Sequence, residues 1–569
     1  MRSLHLLGSL AAVPVLALPA LAQSTTRVSV TSAGAQVSNG HSEGPSLSHD
    51  GRYVAFFSQA AGLVPFDTNT DEDVFVHDRY TGALERVSLT SAGAEAIGNS
   101  AFPSISADGR YVAFESWANF DPLYINSAMD VYVYDRQLDT IELATLNWLG
   151  QVNPFGNSLS AQISADGSCV VFESDSSQLV SDDNGAFTDV FLRDLLSNVT
   201  TRISVTSSGG PSASHSYNPT VSGNGVLVAF ETVAANLVSG DTNSAADILL
   251  RNRFLGTTER VSISSTGEQA NALSSNAHIS ADGRFVAFES LATNLVPNDL
   301  NGRRDIFVRD LLLGTTELVS LTSSGSQTNL HSHFPELSAD GRYVTFRSAA
   351  SNLHAGDTNT ADDIYVRDRL LGTTTHLSKS SAGALGNSSS DLPAISGNGR
   401  LFAFNSNATN LVANDTNDRN DVFVHDPAGF APGVAIRTGA GNVPSSLTAN
   451  SQPAIGNAGF GLVYHNPTSS CGVTPGSFVM TALDFNGPTS LPLFNGCSSG
   501  SGTLLVNLFG PIPYFTKTGI WNGTPGTALL PIPASTSLLG LDAHGQSFFV
   551  VLPSIKIHPS DAVDLVIGQ

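Results

Sequence analysis

Short runs in which apolar and polar residues alternate dominate the chain; YVAFES, DVFVHD and TRISVTS are typical. A period of two marks strands with one packed face, and no long stretch carries the 3.6-residue period of an amphipathic helix, so the pattern predicts an all-β protein. The runs also recur. Anchored on the residue before a turn glycine, they fall at Asp50, Asp108, Asp166, Asn224, Asp282, Asp340 and Asn398, a constant step of 58 residues. A period held over seven units without slippage is the mark of a repeat architecture.

Each unit offers four strand candidates, which in the sixth are FPELSAD, RYVTFRS, DIYVRDR and TTTHLSKSS. Asp-Gly or Asn-Gly joins the first two, a strong hairpin signal. LLGTT joins the last two. Four antiparallel strands repeated seven times predict a seven-bladed β-propeller. The seventh unit stops after DVFVHDP, while TRVSVTSAG, from Thr26, has the outer-strand pattern. The N-terminal strand is therefore expected to complete the last blade, which removes an open sheet edge.

The segment SADGRYVAFES, followed by DIFVRD and a GTT turn, resembles the TolB-like propeller repeat, a relative of WD-type repeats, over residues 26–426. What this resemblance implies is a fold. Outside the propeller, 23–427, three segments differ in composition. Residues 1–22 read as a secretory signal peptide, with Arg2, an apolar run over 4–18 and the small-residue site Ala20-Leu21-Ala22. No later apolar run approaches the ~20 residues that span a bilayer, so an exported protein without a transmembrane segment is expected, periplasmic or extracellular. Residues 428–446 form a Gly/Pro/Ser-rich linker, and 447–569 carry strand-like runs that predict a small C-terminal β-sandwich. PAIGN, a cysteine pair and IPASTSLLG make this module similar to those of secreted bacterial proteins. QPAIGNAGFGLVYHN also fits half of an eighth blade. Export makes a Cys471–Cys497 disulfide the expected pairing, whereas Cys169, in SCVVFES, reads as a small buried side chain.

Charge narrows the partners. Against 26 basic residues stand 49 acidic ones, a net −23, which disfavours nucleic acid and anionic lipid and favours cations. The turn acids do not carry this preference, because Asn224 and Asn398 replace Asp in two units; what repeats there is turn geometry. A second motif, D-x-N-x-x-x-D, occurs intact in five units: Asp67/Asn69/Asp73, Asp241/Asn243/Asp247, Asp299/Asn301/Asp305, Asp357/Asn359/Asp363 and Asp415/Asn417/Asp421. The third unit has SDDNGAFTD and the second Asp121, Asn126 and Asp130. Oxygens at alternate positions of a tight loop suit Ca²⁺, the one cofactor the sequence suggests. An EF-hand is excluded, because the strand IYVR carries Asp368 on the order of 13 Å from the loop. The competing reading is that Asp and Asn side chains bond local N–H groups and hold a turn.

His41, His215 and His331 each lie nine residues before the hairpin residue, and Asn99 and Asn157 take the same place in two other units. In a propeller these connections share a face with the D-x-N loops, so a His/Asn collar around the channel mouth is a candidate ligand face; solvated loop residues are the alternative. No G-x-S-x-G elbow, H-E-x-x-H, P-loop or clustered zinc pattern occurs, and no catalytic residue is assigned. The expectation is an exported, non-catalytic binding or scaffold propeller for a protein, peptide or glycan, with Ca²⁺-stiffened loops. Two alternatives stand beside it: a secreted carbohydrate hydrolase or lyase using Asp and His at the channel mouth, and a structural envelope or matrix component.

Overall fold

The structure, a computed structural model, describes residues 23–120, 128–153, 155–183, 185 and 187–427, and seven short strands between 501 and 567. The segments expected as signal peptide (1–22) and linker (428–446), Asp121, Asn126, the expected Cys471–Cys497 pairing and residues 447–466 lie outside the described residues. The chain divides into two units, Met1–Val434 and Ala435–Gln569. In the second, Ser501–Val506 pairs with Phe515–Ile520 and Leu541–Gly545 with Val563–Ile567, while Ser554–Ile557 lies between Ala528–Pro531 and Phe548–Val551. No helix among the described residues is long and apolar enough to cross a membrane.

The first unit consists of seven four-stranded antiparallel sheets. Blade 1 runs from the inner strand Ser42–Leu47 through Tyr53–Ser58 and Asp73–Asp78 to the outer strand Leu84–Arg86, and blades 2–6 repeat this order. Blade 7 takes its outer strand from the N-terminus: Ser24–Arg27 pairs antiparallel with Asp421–Asp426. That strand begins two residues earlier than the sequence pattern suggests. It also reproduces the contacts of a resident outer strand. Thr25 donates from Oγ1 to the Lys379 carbonyl (2.5 Å) and from its N–H to Ser381 Oγ (2.9 Å), as Thr316 does to Ile263 (2.6 Å) and Ser265 (2.8 Å) in blade 5.

Aromatic rings on the second and third strands fill the middle of the blades. Phe56 faces Phe75, and matching pairs follow in blades 2, 3, 5, 6 and 7, with centroids 5.8–6.2 Å apart. Apolar residues on both faces of these strands pack against the neighbouring blades, which is why YVAF and DVFV stretches are nearly continuous in apolar character.

The Asp-Gly turns do more than reverse the chain. Asp50 Oδ1 accepts from Ser48 Oγ (3.0 Å) and from the Arg52 N–H (2.9 Å), and Asn224 and Asn398 accept in the same way. The turn needs the carbonyl-like oxygen and not the charge. Gly109 has φ +74°, and a Cβ there would stand 2.2 Å from Tyr53 of the preceding blade, so glycine serves both backbone and packing. At Gly225 the neighbour is Cys169, a buried free thiol, as its strand pattern predicts. Backbone hydrogen bonds join the seven turns into a closed ring, from His49 N–H to the Ala107 carbonyl and round to Asn398 N–H on the His49 carbonyl, all 2.8–3.1 Å.

Candidate functional site on the loop face

The face opposite these turns carries the loops between second and third strands and the connections from one blade's outer strand to the next blade's inner strand. Both sequence-predicted constellations lie here. Neither is free.

In the D-x-N-x-x-x-D loops the asparagine spends its carbonyl oxygen on the loop itself. Asn69, Asn243, Asn301, Asn359 and Asn417 each accept through Oδ1 from the N–H two residues on, at 2.7–3.2 Å. Asn69, Asn243, Asn301 and Asn417 also donate to a carbonyl of the connection into the next blade. These are Asx turns tied across a blade boundary.

The final aspartate opens the third strand and is buried in all five loops. It accepts from a serine on the chain leaving the outer strand: Ser88 to Asp73 (2.5 Å), Ser262 to Asp247 (2.7 Å), Ser320 to Asp305 (2.6 Å), Ser378 to Asp363 (2.7 Å) and Ser29 to Asp421 (2.7 Å). What neutralises the acid pair differs from blade to blade. In blade 1, Arg86 Nη1 stands 3.5 Å from Asp67, 2.9 Å from Asp73 and 2.9 Å from Glu95, so the tightest carboxylate cluster already encloses a cation. Arg260 approaches Asp241 and Asp247 in blade 4 (3.6 and 3.2 Å), and Arg27 approaches Asp415 and Asp421 in blade 7 (3.1 and 3.0 Å). Arg202 lies 3.2–3.9 Å from Asp182, Asp183 and Asp189 in blade 3. In blade 6, His376 Nε2 is 3.3 Å from Asp363, and the Tyr365 hydroxyl donates to Asp357 at 3.2 Å. Blade 5 has Leu318 at this register. The calcium expectation thus meets a guanidinium in blades 1, 4 and 7. Burial and the Asp73 charge push Asp67 up to about 6 even against Arg86, while burial and the Asp305 charge push Asp299 to about 6 with no arginine opposing them.

The collar has a structural task as well. His41 Nδ1, Asn99 Oδ1, Asn157 Oδ1, His215 Nδ1 and His331 Nδ1 accept the N–H of Asn420, Glu72, Met129, Thr188 and Arg304, each from the preceding blade, at 2.9–3.1 Å. Each of these side chains thus closes one blade seam.

Two further sets of polar groups escape the sequence reading. On inner strands, residues 58 apart adopt positive φ, as at Phe102 (50°), Ser160 (55°), Asn218 (48°) and Phe334 (52°), where a bulge interrupts the ladder. Their freed N–H groups need partners. Glu115, Glu173 and Glu289, on second strands, accept from Ser160 (2.5 Å), Asn218 (2.6 Å) and Phe334 (3.3 Å) of the next blade. Burial pushes Glu115 up to about 7. Deeper in the channel, a side chain of each blade accepts an inner-strand N–H of the next: Ser46, Ser104, Gln162, Thr220, His278 and Glu336, at 2.9–3.2 Å. Blade 7 has Ala394 there, so this chain of bonds is open at the closure. Burial raises Glu336 to about 8 and lowers His278 to about 4. The channel encloses a cavity of about 290 Å³, lined at its flipped positions by Phe102, Ser160, Asn218, Asn276, Phe334 and Leu392.

Beside exposed polar side chains such as Gln59, His354 and Arg419, this face also exposes large apolar ones. Phe66, Ile97, Trp117, Trp148, Leu149 and Phe155 fall on blades 1–3, with Val233 on blade 4 and Leu300 on blade 5. The Trp117 N–H bonds the Asn99 carbonyl (2.9 Å) and the Trp148 N–H the Gln178 carbonyl (3.0 Å), so both indoles sit on anchored backbone.

No family model matches the chain, and no curated protein matches it in sequence. Solved structures do. TolB from Acinetobacter baumannii is 16% identical over 49% of this chain, with a TM-score of 0.29, and the chain spans 53% of that protein's length. An oligogalacturonate lyase from Vibrio parahaemolyticus is 13% identical over 71% of this chain and 93% of its own (TM-score 0.44). A TolB homologue from Agrobacterium tumefaciens is 18% identical over 49% and 80% (TM-score 0.31). These likenesses concern the propeller fold alone.

Proposed function

We propose that this TolB-like seven-bladed propeller is an exported, non-catalytic binding module that holds a protein, peptide or glycan partner on its loop face. One observation carries the reading: on that face the collar side chains hold blade seams and the loop acids of blades 1, 4 and 7 are held in internal ion pairs, while Trp117, Trp148, Phe155, Ile97 and Phe66 remain exposed on blades 1–3. Exposed aromatic groups on a rigid scaffold lose little entropy on binding and bury large areas, which suits them to anchor a partner. Peptide and glycan arrays probed with purified protein test this. A Trp117→Ala/Phe155→Ala variant is expected to keep its melting temperature and lose at least tenfold in affinity for whatever the wild type binds. Undiminished binding by that variant would place the partner elsewhere.

A further inference from the structure

We infer that blade 5 is built to take a small oxygen-ligated divalent cation, Ca²⁺ by its chemistry, between Asp299 and Asp305. Blade 6 also lacks a guanidinium and has a buried Asp363 oxygen without a partner, but there His376 stands against Asp363 and the Tyr365 hydroxyl against Asp357. The third and outer strands keep one register throughout: Phe75 opposite Arg86, Leu249 opposite Arg260, Phe423 opposite Arg27, and in blade 5 Phe307 opposite Leu318. At the position from which three sister blades send a guanidinium between the two aspartates, blade 5 has an aliphatic side chain, half-buried against the core.

A second arm is withdrawn too. In blade 4, Gln269 donates through Nε2 to both Asp241 (2.8 Å) and Asp247 (2.9 Å). Its counterpart Gln327 donates instead to the Asn298 carbonyl (2.8 Å) and accepts from the Leu300 N–H (3.2 Å). Asp305 keeps neutral donors, namely Ser320 (2.6 Å), Thr328 (3.0 Å) and Asn301 Nδ2 (2.7 Å), none of which cancels its charge. Asp299 is 5% exposed, and its Oδ1 is fully buried without a hydrogen-bond partner. A buried carboxylate oxygen with no donor costs several-fold more than a bonded one, and it persists where something else satisfies it.

The donor set defines the ligand. Two carboxylates, with loop carbonyls and water completing the shell, suit a hard cation of flexible coordination. With only two charged ligands the affinity falls in the range of extracellular modules, a Kd of about 10⁻⁴–10⁻³ M. This inference does not depend on the binding role of the face, since it concerns a different blade and a different readout.

Isothermal titration of the full chain with calcium chloride decides it, alongside melting curves in calcium chloride and in chelator. One site per chain is expected, with a melting temperature about 1–3 °C higher in 10 mM Ca²⁺. Asp299→Asn, which keeps shape and removes a charge, should lose both effects. Leu318→Arg, which supplies the missing guanidinium, should become indifferent to calcium. No binding to wild type, several sites per chain, or a response that survives in Asp299→Asn would each overturn the inference.

Discussion

Blades 4 and 5 are neighbours with the same strand order, the same Asx turn and the same buried aspartate–serine pair, yet they settle their charges in opposite ways. In blade 4, Arg260 and Gln269 converge on Asp241 and Asp247. In blade 5, Leu318 and the turned-away Gln327 leave Asp299 and Asp305 without a positive partner. One outer-strand residue and the direction of one glutamine separate the two loops. The repeat fixes the backbone, and single side chains then decide what each loop can do.

The sharpest way to break this comparison is to remove the corresponding aspartate from each blade, in chelator. Asp247→Ala leaves Arg260 buried beside one remaining carboxylate, and stranding a buried charge costs about 3–5 kcal/mol. Asp305→Ala strands only neutral donors and relieves repulsion with Asp299, for a loss of about 1–2 kcal/mol. Denaturant unfolding of both variants measures the difference. Equal losses would mean that the arginine contributes no more than a hydroxyl does.

A buried acid without a cation can also be read through pH, at a position away from either loop. Glu336 accepts the Ile395 N–H in the channel, and burial holds its pKa near 8. The folded chain therefore keeps this proton between about pH 4.5 and 8, where the unfolded chain has released it. Its contribution is full below 4.5 and is lost as pH rises through 8. Glu336→Gln retains the acceptor and removes the titration. It should melt like wild type at pH 5 and be more stable by roughly 2–4 kcal/mol at pH 9. Parallel melting curves across pH would show that an ionised Glu336 is compensated after all.

Much of this architecture is legible in the sequence because the repeat is strict. The 58-residue step, the Asp/Asn-Gly turns, the small buried Cys169 and the closure by the N-terminal strand all follow from local pattern, and local pattern is what a strand period and a turn preserve. The calcium reading went only as far as residue types allow. It placed acids at alternate positions, but it had no means of seeing that Asn243 Oδ1 turns onto Ala245 or that Arg260 reaches across from another strand. The spacing of the collar residues places them on the loop face, but it does not show that His215 and its equivalents hold backbone N–H groups of the blade before. The FES glutamates of YVAFES fit a strand pattern, which gives no sign of a further role. Their role depends on a positive φ in the next blade, 45 residues away, as between Glu173 and Asn218. In hindsight the contrast of TTERVS in blade 4 with TTELVS in blade 5 is the one sequence signal that separates the two loops.

The smallest expected effect tests where the two blades are truly the same. Blade 4 turns on Asn224 and blade 5 on Asp282, and both side chains accept from a serine hydroxyl and from the N–H two residues on. If the turn needs only an acceptor that tolerates its geometry, Asn224→Asp and Asp282→Asn should each change stability by no more than about 0.5 kcal/mol, and neither should alter the calcium response. Arg284 approaches Asp310 at 2.8 Å rather than relying on Asp282, so loss of the turn charge does not strand a cation. A loss well above 1 kcal/mol in Asp282→Asn alone would show that charge matters at the turn of blade 5 as it does in its loop, and the contrast between the blades would then extend to both faces of the propeller.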